Sequence, residues 1–489
     1  MLTVKAQPSA VEIIRSTRSN AARFRQHRAW VLAVAILGST VTFIDQSVVN
    51  VALPKIRADL DTSLASMQWV VNAYTLCLSA LLLIGGAAAD RLGRRKLFLA
   101  GMIIFTLASI ACGAAPDVEA LIGSRAIQGV GAALLIPCSL AIIGAAFEEH
   151  ERGVAVGIWS GAEALAGGAA PLLAGLLIDH LSWRAIFFIN PLIAIPTVWI
   201  AVRRLPESVD PAARARLDWR GAALVFSGLG GLVYAMISAA MLGWRDVRVV
   251  GSLVAGALLL LGFALEERRS SVPMVPVGLF ASASFSGVNL ATLFLYGALG
   301  GAFFFLPFLL IDAHRFSATA AGAVYLPYTL MIALLSRWSG RLADRVGVRW
   351  PLIVGPLIVA VGFAWLAALS GEQRYWLYLG PMLVLGFGMA ITVTPLTTTV
   401  INSVKDDETG LASGINNVVA SVAGLLVIAV LGTLVKDSLV STARVVMTAA
   451  AVLALAGAGV AAFTIPSQGE AASHRASDLP PGCAGKPVS

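Results

Sequence analysis

Three ionisable residues stand inside long apolar runs: Asp45, Arg125 and Glu163. A charge at the centre of a bilayer costs about 3 kcal/mol even on insertion scales, so each of the three is a candidate functional position. The chemistry open to them is limited. A carboxyl can gain or lose a proton, whereas a guanidinium stays charged and can only exchange partners. Asp45 lies about 15 residues into the first apolar run, or ~22 Å into a ~30 Å hydrocarbon core if that run is helical. Ser39, Thr42, Asp45, Gln46 and Asn50 recur at helical spacing and form a polar stripe suited to a wet cavity. Arg125 falls at a similar depth in a segment running the other way, with Gln128 one turn further on. Arg125 is therefore expected to pair with ionised Asp45 and to lose that partner when the acid is protonated; a static bridge holding two helices is the alternative. Glu163 falls near the middle of its segment and shares a face with Ser160 and Gly167. It is expected to carry a proton or to bind a cationic or hydrogen-bonding substrate. The alternative is a neutral, hydrogen-bonded core acid.

The elements that hold these residues must be membrane helices. The chain has 489 residues, of which 58% are hydrophobic and 13% charged. Its mean hydropathy is +0.84. That charged share is about half of the ~25% usual in soluble domains, which excludes disordered and disulfide-rich classes and argues against a soluble enzyme. The net charge of +8 orients the chain in the bilayer and does not mark a nucleic-acid partner. Four cysteines lack metal or redox spacing, and the three within apolar runs (Cys77, Cys112 and Cys138) read as packing. No metal or cofactor is expected. Nucleotide loops and nucleophile motifs are absent from the sequence. Glu148-Glu149-His150-Glu151 reads as a solvated charge run.

Fourteen apolar segments are long enough to span. With the N-terminus inside, 25 of the 35 Lys and Arg residues fall on the cytoplasmic side, 9 fall outside, and Arg125 lies within a span. This bias predicts two cytoplasmic termini. The first run contains Asp45 and has no small-residue cleavage site, so it does not read as a removable signal. The expected organisation has five parts. Residues 1–29 form a basic cytoplasmic tail and 30–202 a six-helix bundle. A linker at 203–283 carries two extra spans, near 220–241 and 248–265. A second six-helix bundle follows at 284–465, and 466–489 form a disordered cytoplasmic tail.

The two-bundle division comes from an internal repeat. Gly86, Asp90, Arg91, Gly93 and Arg95, with Arg94 between the last two, return as Gly340, Asp344, Arg345, Gly347 and Arg349 at one constant separation. Both copies follow an even-numbered span. Glycine permits a tight turn, cations hold the turn inside, and the aspartate can pair with them. Parallel repeats of this kind mark transporters that bind substrate near the midplane between two similar bundles.

These residues resemble a known family. The loop at 85–95 is similar to the signature loop of the major facilitator superfamily. Ile44 to Pro54, Gln68 to Tyr74, Arg125 with Gln128 and Gly129, and Ser182 to Asn190 resemble motifs of its fourteen-helix drug:proton antiporter branch. The resemblance implies an all-α polytopic fold of two six-helix bundles plus two central helices. It also implies proton handling by Arg125 and Gln128. In the fifth helix the antiporter motif has Gly-Pro followed by paired glycines. Here Ala170-Pro171 and Ala174-Gly175 stand in those places, which keeps Pro171 and Gly175 and replaces two glycines. In the second loop Val348 stands where the first has Arg94.

The expected function is proton-coupled export of small amphipathic or cationic compounds by alternating access, as in multidrug efflux and antibiotic resistance, and not enzymatic catalysis. The coupling set is Asp45, Arg125 and Glu163, and the two repeat loops stabilise the state closed to the cytoplasm. Thr42, Gln46, Asn50, Gln128, Trp159, Asn289 and Asn417 are candidate cavity residues. Tyr296, Phe303, Tyr325 and Tyr328 could line an apolar pocket. The triplet Gly153, Gly157 and Gly161 suggests close helix packing. The expected partners are a small-molecule substrate, protons and the lipid bilayer of the cell (inner) membrane. A monomer is compatible with the sequence, which does not set the oligomeric state. Export of a lipid or anionic metabolite, with Arg125 on the substrate, is the second reading, and a non-transporting receptor or scaffold is the third.

Overall fold

A computed structural model describes residues 10–209, 218–270, 273–405, 408–435 and 438–466, with side chains from Arg28 onward except those of Glu149, Arg337 and Asp344. Among the described residues, fourteen helices are long and apolar enough to cross a membrane. The chain is a multi-pass membrane protein, as the composition requires. Most of the 466–489 tail and residues 1–9 lie outside the described residues. Residues from Ala10 onward are helical and continuous with the first span, which begins at Arg28.

The first helices are α1 (Ala10–Asp59), α2 (Leu64–Leu92), α3 (Arg94–Gly113), α4 (Val118–Ala146), α5 (Glu149–His180) and α6 (Ala185–Arg204). They are followed by α7 (Trp219–Leu242), α8 (Val247–Arg269) and α9 (Ala283–Pro307). A short α10 (Ala318–Ala323) and α11 (Leu326–Val346) come next. The chain ends with α12 (Arg349–Ala368), α13 (Leu379–Asn402), α14 (Thr409–Gly432) and α15 (Leu439–Thr464). Polar residues cap several helices where they leave the apolar core. Ser63 accepts from Ser66 N at 3.1 Å, Asp117 from Ala120 N at 2.8 Å and Asp218 from Gly221 N at 2.8 Å. These side chains satisfy amides that no helical carbonyl reaches. Leu107, Leu192, Leu334 and Phe463 are exposed and apolar, as a lipid-facing surface demands.

The contacts divide the chain into two units. The first runs to Met274 and includes Arg315–Ala323. The extra helices α7 and α8 pack on each other, α7 also packs on α2, and both belong to this unit. The second unit comprises Val275–His314 and the chain from Val324 onward. In it α9 packs on α14 and α15, and α12 and α11 pack on α13.

Close approach depends on particular glycines. A Cβ at Gly129 would overlap the Tyr74 carbonyl oxygen, and one at Gly85 would overlap that of Ala133, so α2 and α4 touch backbone to backbone. At Gly153, Gly157 and Gly161 a Cβ would meet nothing within 4 Å, which corrects the expectation that this triplet packs against another helix. Spacing alone cannot tell a packed stripe from an open one. We predict that Gly129→Ala destabilises the protein by about 1–3 kcal/mol through overpacking. Gly157→Ala should leave thermal unfolding in detergent unchanged, and equal melting of the two variants would contradict the packing described.

Candidate functional site

Asp45 and Arg125 meet. They are 0% and 1% exposed, and Arg125 Nη1 donates to Asp45 Oδ2. The other carboxylate oxygen, Oδ1, accepts from Gln128 Nε2 at 2.7 Å and Asn190 Nδ2 at 2.9 Å. Arg125 Nη1 also donates to Gln128 Oε1 at 2.7 Å and Nε to the Val70 carbonyl at 3.2 Å, and the guanidinium lies 4.2 Å from the Tyr74 ring centroid. Asn190 Nδ2 reaches Ser109 Oγ at 2.9 Å, and that hydroxyl donates to the Phe187 carbonyl at 2.8 Å. Three donors thus satisfy both carboxylate oxygens, as a buried charge requires.

Glu163 on α5 differs. It is 7% exposed, its Oε1 has no hydrogen-bond partner, and no cation pairs with it among the described residues. The Ser39 hydroxyl of α1 stands beside it. Ser39 Oγ also accepts from Trp159 Nε1 at 2.8 Å, one turn earlier on α5. Thr42 is buried and donates to the Ser39 carbonyl at 2.7 Å. Gln46 Nε2 is 3.4 Å from Tyr74 Oη. Asn50 is half-buried, with an unpartnered Oδ1.

The two repeat loops have the same backbone device. Gly93 and Gly347 adopt φ of 109° and 82°, and the N–H of each returns to a carbonyl of the preceding helix. A positive φ is costly for any residue with a Cβ, which explains the glycine at that register in both copies. Asp90 pairs with Arg94 at 2.8 Å. The first loop is also tied to the end of α6 and to the segment after it. Arg95 N donates to Glu207 Oε1 at 3.0 Å, Arg94 N to the Ser208 carbonyl at 3.0 Å, and Arg95 Nη2 to the Val202 carbonyl at 2.6 Å. Gly86 is half-buried and Arg91 exposed. In the second loop Arg349 Nη2 donates to the Ala462 carbonyl at 2.9 Å, Gly340 is half-buried and Arg345 exposed. The Asp344 side chain lies outside the described residues.

The model of the Major Facilitator Superfamily matches residues 35–428. The chain belongs to this superfamily. It is 39% identical over 417 residues to the puromycin resistance protein pur8 of Streptomyces alboniger, covering 83% of this chain and 81% of that one. It is 33% identical over 413 residues to the tetracenomycin C resistance and export protein of Streptomyces glaucescens, covering 84% and 76%. A crystal structure of a D-xylose-proton symporter shares the fold at a TM-score of 0.66 and 15% identity, covering 90% and 98%. The protein is therefore a transporter of small molecules and not an enzyme.

Within this superfamily member, the departures in the fifth helix have a steric account. A Cβ at Gly175 would overlap the backbone of Ala318 and Thr319, and one at Gly322 would overlap the Pro171 carbonyl. Ala170 and Ala174 are buried without needing to be glycine. The glycine retained is the one where no side chain fits. Asp179, which sequence reading missed, accepts from Ala318 N at 3.1 Å and Thr319 N at 2.8 Å and so caps α10.

Other candidates are placed differently from expectation. Asn417 is exposed, and its neighbour Asn416 makes the polar contacts, donating to Asn289 Oδ1 at 3.1 Å and Thr292 Oγ1 at 2.9 Å. One residue is about 100° of helix rotation, so the sequence could not choose between two adjacent asparagines. Phe303 stands edge-on to Tyr325 and Tyr328, each at 5.2 Å between centroids. The solvated run at 148–151 is partly engaged: Arg28 reaches Glu151 at 2.8 Å and Glu148 at 3.3 Å. His314, between spans, lies 2.9 Å from Tyr378 Oη and 3.1 Å from the Ser370 carbonyl, and burial pushes its imidazole below the ordinary 6.5. Asn190, the last residue of the Ser182–Asn190 motif, and Ser109 also belong to the Asp45 cluster, which spacing along the chain did not reveal.

Removing one partner of the buried pair should leave an uncompensated charge. Arg125→Leu is expected to destabilise the protein by about 3–5 kcal/mol, and the double variant Asp45→Asn/Arg125→Leu by less. A double-mutant cycle of thermal unfolding in detergent measures this, and additive effects would rule out the coupling.

Proposed function

We propose that the protein is a proton-coupled exporter of small amphipathic or cationic compounds, working by alternating access in the cell membrane with both termini cytoplasmic. The carrying observation is the contrast between two buried acids of the first unit. Asp45 has its charge balanced by Arg125, Gln128 and Asn190. Glu163 has an unpartnered oxygen, and no cation pairs with it among the described residues. A bare carboxylate in an apolar interior is expensive, so Glu163 is stable there when protonated or when a cation joins it. That is the property a coupling acid needs, because proton and substrate must bias the same two-state equilibrium. In this reading Asp45 and Arg125 form the rest of the coupling set, and the loops at 85–96 and 340–349 stabilise the state closed to the cytoplasm. The export direction is supported by relatives described as resistance and export proteins.

Export of an anion would require Arg125 to leave Asp45 and strand a buried carboxylate, which the geometry disfavours. A receptor that has kept the fold would bind ligand without exchanging protons.

In energised inverted vesicles, lipophilic cations should trigger proton release in the wild type. Glu163→Gln should abolish it, and Asp45→Asn should impair it. Folded protein that releases no protons with any cation would refute proton-coupled cation export.

A further inference from the structure

A groove of about 460 Å³ runs along the lipid-facing side of the first unit, between α3 and α6. Two contacts hold the helices together around it. Arg95 Nη2 donates to the Val202 carbonyl at 2.6 Å at one end, and Ser109 Oγ donates to the Phe187 carbonyl at 2.8 Å towards the other. Between these ties Ala194 is small and buried, and the helices part into a trough. Ile103 and Leu107 of α3 and Ile195 and Trp199 of α6 form its walls, and all four are exposed. The hydroxyl of Thr106, which also lines it, donates to the Met102 carbonyl of its own helix at 2.7 Å. The trough therefore presents hydrocarbon. Its length is that of one leaflet: Ala194 to Arg203 rises about 14 Å and Lys96 to Leu107 about 17 Å, against half of a ~30 Å core.

Both walls end in a cation, and at the same end. Lys96 is exposed and lies about two and three turns from Ile103 and Leu107, which places it on their face of α3. Arg203 lines the groove and stands over the Trp199 ring, 4.4 Å from its centroid. A guanidinium held over a ring keeps its in-plane N–H donors, and these match phosphate oxygens. The acids close by in the chain are engaged elsewhere. Asp90 pairs with Arg94 at 2.8 Å, and Glu207 accepts from the N–H groups of Arg95 and Ser208 at 3.0 and 3.2 Å. Two cations at the mouth of an apolar trough one leaflet long complement an anionic headgroup and the chain below it.

We propose that this groove binds an anionic phospholipid, with the phosphate held by Lys96 and Arg203 and one acyl chain lying between α3 and α6. A zwitterionic lipid would bring an ammonium group to the same two cations and bind more weakly. The lipid bridges the start of α3 and the end of α6, which Arg95 already joins, and so braces the first repeat loop from the bilayer side. The site depends neither on proton coupling nor on the direction of transport.

Trp199 reports occupancy of the groove. Full-length protein in nanodiscs of dioleoylphosphatidylcholine is titrated with phosphatidylglycerol carrying brominated chains and, in parallel, with brominated phosphatidylcholine. Quenching seen in the wild type and absent from Trp199→Phe is the groove signal. Phosphatidylglycerol should produce it at a mole fraction about tenfold or more below that required of phosphatidylcholine. Lys96→Gln and Arg203→Gln should each reduce this preference about fivefold, and the double variant should abolish it. Lys96→Arg, which keeps the charge, should retain it. Arg269→Gln, which removes an exposed cation from the end of α8, should leave it unchanged. Phosphatidylglycerol should also raise the melting temperature of the wild type and not that of the double variant. Equal quenching by the two lipids, no groove signal with either, a preference that survives the double variant, or one that falls equally in Arg269→Gln would each overturn the site.

Discussion

A carboxylate buried in a membrane protein needs its charge balanced on the spot, and the first unit is organised around one such balance. Asp45 of α1 is held by Arg125 and Gln128 of α4 and Asn190 of α6. Val70 and Tyr74 of α2 cradle the guanidinium, and Ser109 of α3 orients Asn190. Five helices converge on a single ion pair. Moving any one of them would expose an unpaired charge or an orphaned amide to a low-dielectric interior, so the pair ties these helices into one body. Helix α5 contributes no side chain to this network, and it carries Glu163, a buried acid with an unsatisfied oxygen.

The backbone arrangement has a separate cause. Hydrocarbon offers no hydrophobic drive for one helix to choose another, so contact depends on how closely backbones can approach. Gly85 and Gly129 bring α2 against α4, and Gly175 and Gly322 bring α5 against α10. Gly355 and Gly388 do the same for α12 and α13 in the second unit. The repeat loops use glycine for a different reason, a positive φ at the helix break. The first loop gains a further brace from Glu207, beyond the end of α6.

Much of this was readable along the chain. The number of spans follows from the length of the apolar runs, and the internal repeat follows from matched residue types at a constant offset. The depth of a charge follows from helical rise, which is why Asp45 and Arg125 are expected at one level. Elements separated by short apolar periods were harder to resolve. Asn416 and Asn417 are equivalent in sequence, yet one makes the polar contacts and the other is exposed, and the glycines at 153, 157 and 161 have the spacing of a packed stripe while facing open space.

The sequence by itself determined that this chain spans a membrane, that it carries a family signature twice, and that three charges lie where charges are costly. Those properties depend on composition, period and offset, which are one-dimensional. Only the tertiary structure decided which charge is neutralised. Hydrogen bonding depends on a few tenths of an ångström and on the rotation of each helix about its axis. Three donors from two other helices therefore close around Asp45, while Glu163, equally apolar in its sequence surroundings, keeps an oxygen free.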